Sequence, residues 1–387
     1  MMLWQAPLPD KYVKMDDDAL AVAIAARKAE LGDDLVVLGH HYQQDDVVRF
    51  ADFTGDSFKL SQLAAEAVVE RGSKWVIFAG VHFMAESADI LTDDDVAVIL
   101  PDMGAGCSMA DMANYEQTVE AWEYLHECVR GENVRIVPMC YMNCTAAIKA
   151  FCGEHGGAVC TSSNAEKMLR WALAGSDEPL KDGEQVKILF LPDQHLGRNT
   201  GADLGFDVEK EMVVYDPKEP EACGEADVRR SSFILWKGHC SVHKLFRPEH
   251  VGQVKEVWPD VTVMVHPECD HAVVKAADCS GSTEAIIKAV TASAAGSRWA
   301  IGTEVHLVNR LRDEMKEKGV EVRMLSECQC LCTTMYRIDM PHLLYVMDQL
   351  VEGEVVNQVS VPEGVQHWAK VSMERMLRVT TGEAVKV

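Results

Sequence analysis

The chain has 387 residues, 37 of them basic and 61 acidic, for a formal net charge of -24. That balance counts against a nucleic-acid binder, which needs a surplus of Lys and Arg to neutralise phosphates. A composition 48% hydrophobic and 25% charged excludes a largely disordered chain, and at roughly 150 residues per domain the length predicts two or three domains.

The opening residues, MMLWQAPLPDKYVKMDDDAL, have no basic segment leading into an apolar one. No secretory signal is expected, and the protein is predicted to be cytoplasmic. No apolar run approaches the ~18 residues of a membrane span, so no membrane association is expected either.

From residue 34 onward, short β-branched runs alternate with amphipathic stretches, the pattern of parallel sheets covered by helices. The class is α/β. The runs form three sets of three: 34–42, 75–80 and 96–102; 134–143, 158–163 and 186–193; 261–268, 298–304 and 320–327. Between them lie helix patterns such as FKLSQLAAEAVVERG, SNAEKMLRWALAG, STEAIIKAVTASAAG and NRLRDEMKEKG, several closed by a capping Gly. Three αβα repeats with small parallel sheets are predicted, over 34–133, 134–258 and 259–340, with 1–33 and 341–387 as terminal helical segments. The stretch 194–235, with its Gly-rich and acidic pieces, reads as a long loop with little regular structure.

Each run breaks into polar residues at its end, where ligands of parallel α/β sheets bind. The distinctive side chains are therefore expected at strand ends. Thirteen cysteines in a reducing compartment are seldom a disulfide framework, which leaves packing, catalysis or metal binding. Cys107, Cys240 and the group Cys328, Cys330 and Cys332 follow the last strands of the sets, one place per repeat. Paired CxxC motifs for zinc are absent. Three thiolates meeting on a threefold axis would instead hold a cubane with one iron lacking a protein ligand, whereas electron-transfer clusters take four cysteines. The other cysteines read as buried packing.

The segments GHHYQ, TGDS, PDMGAGCSMAD, YMN, CTSSNA, LFLPDQHLG, GHCSVH, VHPEC, SGSTEAI, GTEVH and the Cys332-x-x-Met335 motif follow one another in the order of a known family. Together, over about 35–335, the chain resembles the quinolinate synthases, iron-sulfur enzymes of de novo NAD synthesis. The resemblance implies three αβα domains in pseudo-threefold arrangement around a central 4Fe-4S cluster with an open iron. It implies Cys107, Cys240 and Cys332 as the cluster ligands, Cys332 because it alone is followed by the family's x-x-Met. The Cys-x-Cys-x-Cys spacing departs from the wider spacing in part of the family, and leaves Cys328 and Cys330 without an assigned role. The implied reaction condenses iminoaspartate with dihydroxyacetone phosphate to quinolinate, losing phosphate and two waters. Supply of iminoaspartate by L-aspartate oxidase or an aspartate dehydrogenase follows, with direct transfer expected because the imine hydrolyses readily.

Such a reaction needs a general base and proton donors. Glu268 is the expected base; burial would move its pKa toward neutral, while positive neighbours would lower it. Tyr42 and His266 are the expected catalytic partners, and His40 and His243 match family positions that contact substrate. Ser282 and Thr283 open a predicted helix, where free N–H groups favour a phosphate or carboxylate. Ser57, Tyr141, Asn143 and Ser162 bind the dicarboxylate by resemblance; from the residues alone, Ser57, Asn143 and Ser162 read as caps or turns. Ser163 to Glu166 fits a capping box. Two rivals remain: another 4Fe-4S hydro-lyase with a different substrate, and a non-enzymatic iron-sulfur sensor. The charge of -24 counts against a sensor acting on DNA.

Overall fold

The computed structural model describes residues 5–327 and 330–382; Cys328 lies outside them. Three separate sheets carry the strands. The first holds β1 (Leu35–His40), β2 (Phe53–Gly55), β3 (Trp75–Ala79) and β4 (Ala97–Ile99). The second holds β5 (Val134–Tyr141), β6 (Ala158–Cys160), β7 (Gln185–Leu191), β8 (Met212–Tyr215) and β9 (Phe233–Trp236). The third holds β10 (Thr262–Val265), β11 (Cys279–Ser280), β12 (Arg298–Gly302) and β13 (Glu321–Met324). All of these strands pair in parallel, and β14 (Gln358–Val359) adds to β4 antiparallel.

One strand order recurs. The orders β2-β1-β3-β4, β6-β5-β7-β9 and β11-β10-β12-β13 place the first strand of each set between the second and the third. The direction of winding therefore reverses between first and third strands, and a crevice opens beyond their carboxyl ends. Buried runs such as Leu35–Leu38, Ile188–Leu191 and Phe233–Trp236 are inaccessible on both faces. Such continuous apolar strands are what a parallel sheet covered on two sides requires.

Each of the nine predicted runs contains a strand. The expected loop over 194–235 is corrected: it holds the helix Gln194–Asp203, β8, the helix Glu225–Arg230 and most of β9. Asp193 caps that first helix, accepting the N–H groups of His195 at 2.7 Å and Leu196 at 3.0 Å. Its glycines serve packing. A Cβ on Gly197 would lie 2.7 Å from Phe190 and 2.8 Å from Leu235, so only glycine lets this helix settle on the sheet.

By contacts the chain divides into two compact units. One comprises the described residues of Met1–Cys107, Glu304–Asp313 and Gln329–Val361; the other those of Ser108–Thr303, Glu314–Cys328 and Pro362–Val387. In the second unit the helix Glu363–Thr381 lies on the helix Ala146–Glu154. A Cβ on Gly153 would meet the Trp368 carbonyl oxygen at 2.0 Å, so that contact is main chain against main chain. No helix of the described residues is long and apolar enough to cross a membrane.

Candidate active site

The first strands of two sheets end in the same local device. β1 ends at His40, whose Nδ1 accepts the N–H of Tyr42 at 3.1 Å. After β10, His266 Nδ1 accepts the N–H of Glu268 at 3.3 Å. In both, this bond assigns the ring proton to Nε2, which makes that nitrogen an N–H donor. His40 is buried and stands edge-on to Tyr42, ring centroids 4.9 Å apart.

Within the second unit, Tyr141, His243, His266 and Glu268 come together. His243 Nδ1 lies 2.5 Å from Glu268 Oε2, and His243 Nε2 lies 3.1 Å from Thr303 Oγ1. The His243 and His266 rings stack at 4.5 Å, and His266 Nδ1 is 3.8 Å from the same carboxylate. Glu268 and both imidazoles are sealed from solvent. Burial alone would raise the Glu268 pKa; His243, His266 and hydrogen bonds from His243 and Tyr141 outweigh it and hold the carboxyl below its usual range. Of the two opposed effects the neighbours win, and the carboxyl is held as the anion. Burial pulls His266 down to about 3 against the attraction of Glu268, so its ring is neutral. Cys240 joins this group, since one ligand atom each from Cys240, His243 and Glu268 lie within 4.8 Å of one another. A single ion held by all three would have to break the His243–Glu268 bond if it took Nδ1 and Oε2.

Helix starts account for the serines and threonines. Ser57 is the first residue of Ser57–Arg71, but Asp56 is the cap and accepts the Lys59 N–H at 2.9 Å. Ser282 caps Thr283–Thr291 through the Ala285 N–H at 3.3 Å, with Thr283 buried at the first position. Ser162 is half-buried before the helix Ala165–Leu173. The capping box expected from Ser163 to Glu166 does not form; Ser163 pairs with the Thr161 hydroxyl at 2.8 Å and Asn164 takes the cap position. Asn143 is half-buried just beyond β5. Ser57, His40 and Tyr42 belong to the first unit; Asn143, Ser162, Ser282 and Thr283 to the second.

Among the described cysteines, Cys107, Cys240 and Cys332 are the half-buried ones; eight are buried, Cys330 among them, and Cys279 is exposed on an edge strand. Cys279 therefore departs from the expectation of buried packing. The three half-buried thiols also share a frame. A short 3-10 turn begins three residues after each, at Ala110, His243 and Met335. The next helix takes its cap seven residues after each, at Asn114, Arg247 and Asp339. The residue before each cap, Ala113, Phe246 or Ile338, is buried. Three soft donors in equivalent frames, each just past the last strands of its set, fit a cluster with three thiolate ligands better than three unrelated thiols. Burial raises the Cys332 thiol pKa against bonds from the Met335 N–H and the Thr334 hydroxyl, so a positive partner is needed to hold it ionised.

Sequence reasoning missed Asp193, Thr303 and Glu304, all fully buried at the ends of third strands. The signal was present as an acid-x-His-Leu pattern, Asp193 to Leu196 and Glu304 to Leu307. In each the acid accepts the main-chain N–H groups two and three residues on. An isolated bridge joins Asp193 to Gly238, where a Cβ would lie 2.2 Å from the Pro192 carbonyl oxygen. That close approach seats the loop that carries Cys240.

The profile of the quinolinate synthetase A protein family matches residues 22–378. The chain is 51% identical over 371 residues to the quinolinate synthase of Acidobacterium capsulatum, covering 96% of this chain and 95% of that one. It is 52% identical over 364 residues to that of Streptomyces coelicolor, covering 94% and 88%. It is 45% identical over 373 residues to that of Bacillus subtilis, covering 96% of both. With a profile spanning nearly the whole chain and relatives of this similarity, the chain belongs to the quinolinate synthetase A family of enzymes.

Proposed function

We propose that this chain condenses iminoaspartate with dihydroxyacetone phosphate to quinolinate, releasing phosphate and two waters. The observation that carries the reading is the sealed His243–Glu268 pair, 2.5 Å apart, with Cys240 alongside. Cys107, Cys240 and Cys332 would hold a 4Fe-4S cluster at the meeting of the three αβα repeats 34–133, 134–258 and 259–340. When bound, its open iron supplies a Lewis acid that polarises a hydroxyl or carbonyl oxygen.

The residues divide the remaining work. Glu268, anionic, accepts the Nδ1–H of His243, which leaves Nε2 to accept the Thr303 hydroxyl proton. An imidazole so oriented takes a proton at Nε2 through the Thr303 hydroxyl, which passes its own proton to the ring as it accepts the substrate's, and the carboxylate stabilises the imidazolium formed. Glu268 and His243 thus act as one base. Neutral His266 and His40 donate from Nε2, and Tyr42 and Tyr141 supply phenol donors. Ser57, Asn143, Ser162, Ser282 and Thr283 hold the carboxylates through hydroxyl or amide groups and helix-start N–H groups. Sealing the site keeps water from the imine. The enzyme works in the cytoplasm, and L-aspartate oxidase or an aspartate dehydrogenase supplies its imine.

The test is Glu268→Gln, which keeps the shape and removes the charge. Quinolinate formation should fall at least about a hundredfold with the fold intact; full activity in the variant would overturn the assignment of the base.

A further inference from the structure

The segments that carry Cys107 and Cys332 both belong to the first unit, and one side chain joins them. Ahead of Cys107 the chain folds around Asp102, which is 2% exposed. Its Oδ1 accepts the Gly104 N–H at 2.7 Å, and its carbonyl oxygen accepts the Ala105 N–H at 2.9 Å. Arg337 ends the 3-10 turn that follows Cys332, a turn tied back to that residue by the Tyr336 N–H on the Cys332 carbonyl oxygen at 3.0 Å. Arg337 Nε lies 2.9 Å from Asp102 Oδ2. A Cβ on Gly104 would lie 2.7 Å from Arg337 Nη2 and 2.9 Å from Nε, so the guanidinium rests on the bare main chain of the Cys107 loop.

The contact is one of charge and shape. Asp102 Oδ2 is buried and accepts no aligned hydrogen bond, a state in which a carboxylate depends on a cation beside it. His342 Nε2 is 3.9 Å away, but His342 Nδ1 is bound to Asp339 Oδ1 at 2.7 Å. The proton of the neutral ring therefore sits on Nδ1, and Nε2 brings none to Asp102. Among the described residues, Arg337 is the fixed positive charge at this carboxylate.

The place recurs. Met112 stands five residues after Cys107, as Arg337 does after Cys332, and it meets the loop ahead of Cys240. Its carbonyl oxygen accepts the Trp236 Nε1–H at 2.7 Å, its Sδ accepts the His239 N–H at 3.4 Å, and a Cβ on Gly238 would lie 3.4 Å from the Met112 Cβ. Leu245, at the same place after Cys240, is exposed. In two of the three frames, then, the residue five past one thiol packs on a glycine just ahead of another.

We propose that Arg337 is a positioning residue for the iron-sulfur centre, clamping the Cys107 loop to the Cys332 turn and so fixing the spacing of two ligand thiols. The inference rests on the ligand set proposed above. Residues that orient metal ligands without touching the metal set affinity by about 10- to 100-fold.

The test is the rate at which enzyme purified without oxygen gives up iron to a ferrous chelator, followed by the visible absorbance of the cluster, with Tm of the iron-free protein measured beside it. Arg337→Gln should lose iron about tenfold faster than wild type. It also leaves buried Asp102 without its cation, so Tm should fall as well. Arg337→Lys, which keeps the charge, should recover Tm and most of the iron retention. The double variant Asp102→Asn, Arg337→Gln separates the two effects: with neither charge present it should regain Tm and still lose iron fast. Iron loss at the wild-type rate in Arg337→Gln overturns the clamp. So does a double variant that regains both Tm and iron retention, which would mark a role in the fold alone. If Cys107→Ser or Cys332→Ser keeps its iron, the ligand set falls and the proposal with it; if both lose iron while Arg337→Gln holds it, the ligand set stands and only the clamp falls.

Discussion

Glu268 and His243 share a 2.5 Å hydrogen bond where neither side chain meets solvent. A carboxylate so buried stays ionised only because its neighbours favour the anion, so the pair is built to carry charge rather than to stabilise the fold. Thr303 holds the other nitrogen of His243 and so fixes the orientation of the ring. Thr303→Val should therefore lower kcat about tenfold while leaving KM for both substrates within about twofold. Thr303→Ser, which restores the hydroxyl, should recover most of the loss in the same steady-state assay.

The three half-buried thiols lead to a metal-content prediction. Serine at Cys107, Cys240 or Cys332 should each remove iron and sulfide from protein purified without oxygen. Serine at Cys330, fully buried in the core, should keep the iron and lower Tm instead. Retention of iron in Cys332→Ser would move the third ligand to another thiol of the group.

Two buried histidines set an acid limit on stability. Burial, with Arg198 adding to it, pulls His195 down to about 4, and burial pulls His266 down to about 3, against roughly 6.5 unfolded. Above about pH 6.5 neither the folded nor the unfolded chain binds these protons, and there is no effect. Below it the unfolded chain takes up protons that the folded chain refuses, so stability falls with pH by up to about 1.4 kcal/mol per unit for each histidine. Glu268 has the depressed-carboxylate sign, and its contribution is lost only as pH falls below the ordinary carboxylate range. Urea midpoints should therefore fall from pH 7 to pH 5, and His266→Gln should flatten the slope. An unchanged slope would contradict the neutral assignment of that ring.

Close backbone approach predicts where methyl groups are costly. Gly153→Ala would set a Cβ 2.0 Å from the Trp368 carbonyl oxygen, and Gly238→Ala would set one 2.2 Å from that of Pro192. Each should destabilise by about 1–3 kcal/mol, read as a lower Tm. Gly238→Ala should also reduce iron content because it displaces the loop that carries Cys240; Gly153→Ala should not.

Nine strands were legible because each is a run of buried apolar residues, and such runs have no stable place except a covered sheet. Five were not: β2, β11 and β14 are two or three residues long with no apolar run to mark them, and β8 and β9 lie in or at the edge of the stretch that reads as a loop. The helix Gln194–Asp203 was hidden because Gly197, Asn199, Thr200 and Gly201 are poor helix formers. Burial against Phe190 and Leu235 and the Asp193 cap override that preference. The places of His40, His266 and Glu268, and of the half-buried thiols Cys107, Cys240 and Cys332, were readable as positions past strand ends. The sign of the Glu268 shift was not, because it depends on which partners arrive from residues 141 and 243, and no spacing rule carries that. Thr303 was missed for the same reason: its role exists only once β12 lies beside β10.

The most direct measurement is quinolinate formation by wild-type protein purified without oxygen, with iminoaspartate and dihydroxyacetone phosphate supplied. Wild type should carry iron and sulfide and release one phosphate per quinolinate, and Glu268→Gln should keep the iron and form at least about a hundredfold less product. Wild-type protein that holds its iron and yields no quinolinate, or a Glu268→Gln variant as active as wild type, would contradict the account.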